Sequence, residues 1–462
     1  MVTPRAADGF SPQILERALR PLLGPEPGAA VVIAVSGGAD SAALLAATAA
    51  LPVGTQGLRL RALHIDHGLA GARPLAAAAR TAASQLGVPF EVVAVTVAPA
   101  TGDSLEAVAR DVRHAAFAAA LRPGECLLTA HHREDQAETL LLQLLRGSGL
   151  PGLAAMPAAA PLGLGRLLRP LLEVSREALR AYLASTGLAW HEDPMNADPR
   201  FDRAYLRSVV WPTLAARWPA AATTLSRSAR HVASAQRLHD DRSCVRLAAL
   251  GRGAALPVAK LLTLAPGERD ELVRYWIRAQ GLPVPPARRL ALLEAEVLRA
   301  RPSALPRLAW AGGELCRYGG LLHAFAPLPP LPVAPRTRLA AVPGELSLGA
   351  LGRLVLRRAE GAGLAVPSDG WQLGPRAGGE RLRLVTGGPS RPLKDWLREA
   401  GVPPWTRARA LLVSEGETLV AVALPHATWV AVERRAAPGA GGLALEWQGA
   451  PAALFPSTFI EP

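Results

Sequence analysis

Over roughly the first 215 residues, short apolar runs alternate with longer Ala-rich stretches whose apolar positions recur at helical spacing. Residues 31–35 (VVIAV), 58–65 (LRLRALHI), 91–97 (EVVAVTV) and 126–130 (CLLTA) predict strands. The segments between them, 41–51, 73–86 and 104–121, predict helices. This alternation predicts a doubly wound α/β domain over 1–215 with a mainly parallel sheet, whose ligands bind beyond the carboxyl ends of the strands. A Gly/Pro/Ala-rich stretch, 147–165, predicts a long ordered loop, and Ser175 with Glu177 predicts a helix start that ends at Gly187. Leu/Ala/Arg-rich helical patterning then predicts a helical middle domain over 216–326. Residues 327–335 hold five prolines, so 327–338 is expected to be a stiff linker. Short apolar runs punctuated by Gly and Pro predict a small strand-rich domain over 339–450.

Composition narrows the class. Half of the 462 residues are apolar, yet no stretch approaches the roughly 20 uninterrupted apolar residues of a membrane helix. Asp8 and Gly9 stand where a signal peptide would begin its apolar run. Cys126, Cys244 and Cys316 are scattered without metal-ligand spacing or a disulfide framework, which fits a reduced, cytoplasmic setting. The net charge of +13 favours polyanion partners. Lysine occurs only at 260 and 394, so the charge is nearly all arginine. That bias also fits a GC-rich coding sequence, and charge alone therefore permits nucleic-acid binding without requiring it.

Three motifs fall at strand ends. In the first, a strand runs into Ser36-Gly37-Gly38-Ala39-Asp40-Ser41 and directly into a helix. Two glycines open backbone angles and close approach, and hydroxyls, amides and a helix N-terminus together suit a phosphate. It is not a Walker loop, which requires a lysine. The second motif, His64-Ile65-Asp66-His67-Gly68, closes the second strand; a turn held by Asp66 explains it as well as a ligand role does. In the third, Thr129-Ala130-His131-His132-Arg133-Glu134-Asp135-Gln136-Ala137-Glu138-Thr139 passes from strand to helix. Acids at a helix N-terminus are favourable in themselves. Asp135 and Glu138, three apart, share one helix face.

On the first of these motifs, SGGxDS, the chain resembles the N-type ATP pyrophosphatase (PP-loop) superfamily. The resemblance implies ATP held by Ser36–Ser41 with His67 beside the nucleotide, and Mg²⁺ placed by Asp40. The match HHxxDQAET followed by RGSGLxGL narrows it to the tRNA isoleucine lysidine synthetase family. Arg110-Asp111-Val112-Arg113, Arg169-Pro170-Leu171-Leu172, Trp190 through Asn196 with Arg203 and Arg207, and Gly378-Gly379-Glu380-Arg381, Lys394 and Pro403-Pro404-Trp405 agree in order. Departures are Glu134 for the usual Asp, His114 for Tyr, Met195 for Ser and Ala204 for Asn.

The family chemistry implies ligation of L-lysine to C2 of the wobble cytidine in the CAU anticodon of isoleucine tRNA, through an adenylated cytidine. Asp135 and Glu138 are then expected to position lysine, with His132 or a carboxylate taking its proton. Arg110, Arg113, Arg203 and Arg207 are expected to hold the α-phosphate or the tRNA. The implied partners are tRNA and L-lysine without a membrane, and the reading is compatible with a homodimer. Thiolation of tRNA uses the same loop but normally needs paired cysteines, which this chain lacks. Amide transfer would need a glutaminase domain, and a silent RNA-binding relative would not need Asp40, His131, His132, Asp135 and Glu138 intact.

Overall fold

A computed structural model describes residues 9–455 except 25–27, 52–56, 69–71, 99–104, 193–197, 199, 252–253, 302–303 and 368–369. The chain divides into two compact units, 1–238 and 239–462.

The first unit is built on a six-stranded sheet. Its strands are β1 (Ala30–Ala34), β2 (Arg59–Asp66), β3 (Phe90–Ala94), β4 (Cys126–Leu128), β5 (Ala159–Leu162) and β6 (Gly165–Leu168), in the order β3-β2-β1-β4-β6-β5. All pairs are parallel except β5 with β6. Helices α1 (Pro12–Leu23), α2 (Ala39–Ala49), α3 (Ala72–Gln85), α4 (Leu105–Ala120), α5 (Arg133–Leu145) and α6 (Arg176–Thr186) complete the doubly wound layers. Alternation along β1 explains why both faces are covered. Val31 and Ile33 pack into one core with Leu44, Leu45 and Leu179, while Val32 packs into another with Leu63, Leu127 and Phe117. A strand apolar on both faces must be buried on both.

The strand and helix expectations hold to within a few residues, and Ser175 accepts the amide of Ala178 to start α6, which ends at left-handed Gly187. The expected loop at 147–165 is a correction: it contains a one-turn helix, Leu150–Leu153, and the hairpin partner β5. Pro161 misleads a sequence reading, but β5 is the sheet edge, where a missing N–H is tolerated.

Chain order reverses between β1 and β4. The crevice beyond their carboxyl ends is the topological switch point of the sheet, the usual ligand position in such folds. The Ser-Gly-Gly loop leaves β1 there and the His-His segment leaves β4.

In the second unit, helices such as Pro266–Ala279 pack around a core that includes Trp276 and Ile277. The expected helical middle region also carries a four-stranded antiparallel sheet, Ala255–Pro257, Arg307–Trp310, Gly313–Tyr318 and Leu321–Phe325. Residues 326–336 have no regular structure, although the expected linker stretch ends in a short strand, Thr337–Leu339. Beyond it, antiparallel sheets of five and four strands form the strand-rich end of the chain, as the patterning predicts.

Candidate active site

The loop between β1 and α2 is shaped by its own side chains. Ser41 Oγ donates to Gly38 O at 2.9 Å and accepts the Ser36 amide at 3.1 Å, while Ser36 Oγ accepts the Gly38 amide at 3.3 Å. Gly37 has φ +90°, and a Cβ there would stand 2.2 Å from the Leu75 carbonyl oxygen of α3. Glycine is therefore obligatory at 37. Gly38 is different: its φ is −84°, and a Cβ would meet nothing closer than Ser36 Oγ at 3.5 Å. No side chain caps the first turn of α2, so its N–H groups face the loop as an anion site.

Asp40 sits in that first turn. Its Oδ2 lies 3.6 Å from His132 Nε2 and 4.0 Å from Arg176 Nε, and its Oδ1 is buried without a hydrogen-bond partner. An orphaned carboxylate oxygen beside a phosphate-shaped loop fits Mg²⁺, which typically takes one or two carboxylates and completes its shell with phosphates and water. Among the described residues no group of three or more His, Cys, Asp or Glu forms a metal cluster, so a protein-only metal site is not what this arrangement offers.

At the start of α5, Asp135 Oδ2 accepts the His132 amide at 2.9 Å. The buried His132 ring lies among three carboxylates, with Nδ1 at 2.9 Å from Glu134 Oε2 and Nε2 at 3.5 Å from Asp135 Oδ2. Burial pushes the imidazole down, but Asp40, Glu134 and Asp135 outweigh it and raise its pKa to about 9. Burial would raise Asp135, yet His132, Arg203 and Arg207 hold it down at about 2. His131 goes the opposite way, down to about 3, because it is buried and faces Arg169, Arg203 and Arg113. His132 is thus an imidazolium at neutral pH, which favours holding charge over taking a proton. Glu134 also accepts the Arg176 amide at 2.9 Å, tying α6 to this cluster.

Asp135 and Glu138 do share a face, and Arg203 and Arg207 reach both. Arg207 donates through Nε to Glu138 Oε1 at 2.7 Å and through Nη2 to Asp135 Oδ1 at 2.6 Å. Arg203 donates to Glu138 Oε2 at 2.9 Å and to the Asp135 carbonyl at 3.2 Å. Arg207 lies in a π-helical stretch, Leu206–Val210, that continues the helix of Arg203. Sequence reasoning expects phosphate or tRNA on these arginines and lysine on these acids; here the two sets satisfy each other.

Two cavities meet over this cluster. One, of about 270 Å³, is lined by Ser36, Asp40, Ser41, His67, Arg113 and Asp135, among others. The larger, about 390 Å³, includes Arg110, Arg113, Arg169, Arg203 and Arg207 in its wall. His67, Arg113, His131 and Asp135 belong to both walls. His64 also lines the smaller cavity, buried with Nδ1 on Val35 O at 2.7 Å. Asp193, Met195 and Asn196 of the Trp190–Asn196 segment lie outside the described residues. Sequence reasoning quoted Arg169 within its motif but gave it no part in the site.

Comparison with known proteins agrees with this geometry. The PP-loop domain model matches residues 12–214, the TilS substrate binding domain 256–323 and the TilS substrate C-terminal domain 372–447. The chain is 44% identical to the tRNA(Ile)-lysidine synthase of Alkalilimnicola ehrlichii, over 90% of this chain and 93% of that one. It is 38% identical to that of Methylococcus capsulatus, over 92% and 97%. A U34-tRNA thiolase structure from Methanococcus maripaludis aligns with 48% of this chain and 78% of its own at 14% identity and TM-score 0.40, a likeness that decides nothing about chemistry.

Proposed function

The chain belongs to the tRNA(Ile)-lysidine synthase family, and from that premise we propose that this enzyme ligates L-lysine to C2 of the wobble cytidine in the CAU anticodon of isoleucine tRNA. ATP would supply the driving force, with AMP and pyrophosphate released through an adenylated cytidine. The C2 oxygen of cytidine is a poor leaving group; adenylation makes it leave as AMP when an amine attacks C2.

One observation carries the reading: the phosphate loop, with the unpartnered oxygen of Asp40, opens into a cavity that adjoins a second one lined by acid and arginine. Nucleotide and acceptor then have separate places with a shared wall. Ser36–Ser41 and the start of α2 would bind the pyrophosphate, and Asp40 would hold Mg²⁺, which supplies charge neutralisation there. His132⁺, fixed by Glu134 and Asp135, keeps the Asp40 carboxylate in position and adds positive charge beside it. Arg113 lines both cavities, and would there meet the transferring α-phosphate. Asp135 and Glu138 would take the lysine ammonium once Arg203 or Arg207 moves to an anionic substrate. The target base must leave the anticodon-loop stack to enter a cavity. No helix among the described residues is long and apolar enough to cross a membrane.

The test is direct. Purified protein, ATP–Mg²⁺, labelled lysine and an isoleucine tRNA transcript should yield acid-precipitable label that survives mild alkali and requires the anticodon cytidine. Aminoacyl esters would be lost under alkali. ATP cleavage with no alkali-stable label would sink the lysine assignment.

A further inference from the structure

We propose that Gln136 sets the length of amine this site accepts: it clamps Met156 as the apolar stop of the larger cavity and thereby selects an amine with the chain length of lysine. The proposal deepens the proposed function and rests on its reading that lysine lies over Asp135.

The wall of the larger cavity combines Asp135 and Thr139 with Phe117, Met156, Leu162 and Leu167. An alkyl amine suits such a wall, because its ammonium goes to the carboxylate while its methylenes lie on apolar surface. Leu162 and Leu167 belong to β5 and β6, so the sheet holds them. Met156 has no such support, since it lies between the one-turn helix Leu150–Leu153 and β5, outside regular structure.

Gln136 supplies it instead. The residue is buried, and its side-chain amide pairs with both polar backbone atoms of Met156. Nε2 donates to the Met156 carbonyl at 2.9 Å, and the Met156 amide donates to Oε1 at 2.8 Å. One planar amide thus satisfies a donor and an acceptor that are both buried. An ionised glutamate carries no donor and asparagine is one methylene shorter, so neither repeats the pair. The clamp also works against strain. Ala155, just before Met156, has φ +55°, a region that L residues other than asparagine and aspartate seldom occupy. After Met156, the Pro157 and Ala158 carbonyls accept Arg169 Nη1 and the Arg169 amide, each at 2.8 Å.

Position in the chain links the clamp to the chemistry. Gln136 directly follows Asp135 on α5, so the carboxylate that would take the ammonium and the clamp on the stop share one helical turn. The span from charge to stop is then fixed by a rigid element and not by a loop. Methionine is unbranched and adapts to many shapes, and it becomes a gauge only when its backbone is anchored. Gln136 itself lines neither cavity, so it acts through Met156, as a positioning residue.

The experiment compares kcat/KM for lysine and for homolysine, one methylene longer, using the full chain, ATP–Mg²⁺ and the isoleucine tRNA transcript, with alkali-stable label as the readout. Wild type should prefer lysine by about tenfold or more, the usual discrimination for one methylene. Met156→Ala removes the stop and keeps the backbone pair, so the preference should fall about tenfold. Gln136→Leu frees the segment and should move the preference the same way. Gln136→Glu keeps the acceptor and loses the donor, so it should do so by a smaller factor, and it serves where Gln136→Leu is too unstable to purify. The double variant of Met156→Ala with Gln136→Leu, or with Gln136→Glu in its place, should shift no further than Met156→Ala alone, because both changes act on one contact. A Gln136 variant with a lowered Tm, slower turnover of both amines and the wild-type preference would overturn the proposal and leave Gln136 a structural role. So would an unchanged preference in Met156→Ala, or two shifts that multiply in the double variant. A wild type that joins neither amine to the RNA would overturn the proposed function and this proposal with it, an outcome distinct from an unmoved preference.

Discussion

Adjacent glycines of one motif should respond oppositely to the same substitution. At Gly37, alanine meets two penalties. Its φ of +90° lies in the region L residues rarely adopt, worth about 1–3 kcal/mol. Its Cβ would stand 2.2 Å from the Leu75 carbonyl oxygen, and the floor for real contacts is 3.0 Å, so the start of α3 must retreat. Backbone moves of that kind typically cost about 1–3 kcal/mol more. Gly37→Ala should therefore lose at least about 2 kcal/mol, lowering Tm by roughly 4 °C or more for a unit of this size. Pyrophosphate release should fall more than about 100-fold, since displacement of about 1 Å in a positioned site can cost that much. At Gly38, the backbone is ordinary and a Cβ has room, so Gly38→Ala should cost about 1 kcal/mol or less as an altered helix cap. Its effect should appear as a raised KM for ATP, because the new methyl stands where a phosphate approaches the amides. Thermal unfolding and pyrophosphate release on the two variants decide the matter. A Gly37→Ala protein with the wild-type Tm, or a Gly38→Ala protein destabilised as much as its neighbour, would refute the assignment of distinct roles.

Asp40→Asn should lower ATP-dependent pyrophosphate release at least about 100-fold; chelating Mg²⁺ should then reduce wild type to the level of the variant. Retained activity would remove Asp40 from metal binding. Arg207→Gln frees Asp135 Oδ1 and Glu138 Oε1, so lysine affinity without RNA should rise, about 5-fold or more by calorimetric titration. Stability should fall by about 3 kcal/mol, as when one partner of a buried pair is lost; unchanged or weaker lysine binding would show that the clamp does not compete. Glu125 accepts two hydrogen bonds from Arg61, at 3.0 and 2.6 Å, and that guanidinium first, then the Arg122 amide, holds its carboxyl below the ordinary 4.5. The folded-state pKa is depressed, so this stabilisation is complete above about 4.5 and disappears as pH falls through the lower folded value. The Tm gap between wild type and Arg61→Gln should narrow from pH 7 to pH 3, and a constant gap would contradict the pairing.

Local order was legible in the sequence because it depends on neighbours along the chain. Apolar runs located the four strands 31–35, 58–65, 91–97 and 126–130, most plainly β1 and β4, whose buried positions form continuous apolar runs. Ser175 and Gly187 bracketed α6 because capping involves only adjacent backbone. Ser36 to Ser41 declared a phosphate loop through side chains that bond one another within five residues. The hairpin at 159–168 was hidden, because Pro161 is acceptable only at a sheet edge, and edge position is a property of the whole sheet. Gly37 and Gly38 looked equivalent until α3 brought the Leu75 carbonyl against one of them. The charge state of His132 needed Asp40 from another helix, and the pairing of Asp135 and Glu138 needed Arg203 and Arg207, more than sixty residues away. Arg169 joined the cavity wall only because β6 carried it beside other arginines. Spacing along the chain fixes which groups a segment can offer; whether a buried charge is paired, shifted or left wanting an anion is decided by what the fold places within a few ångströms of it.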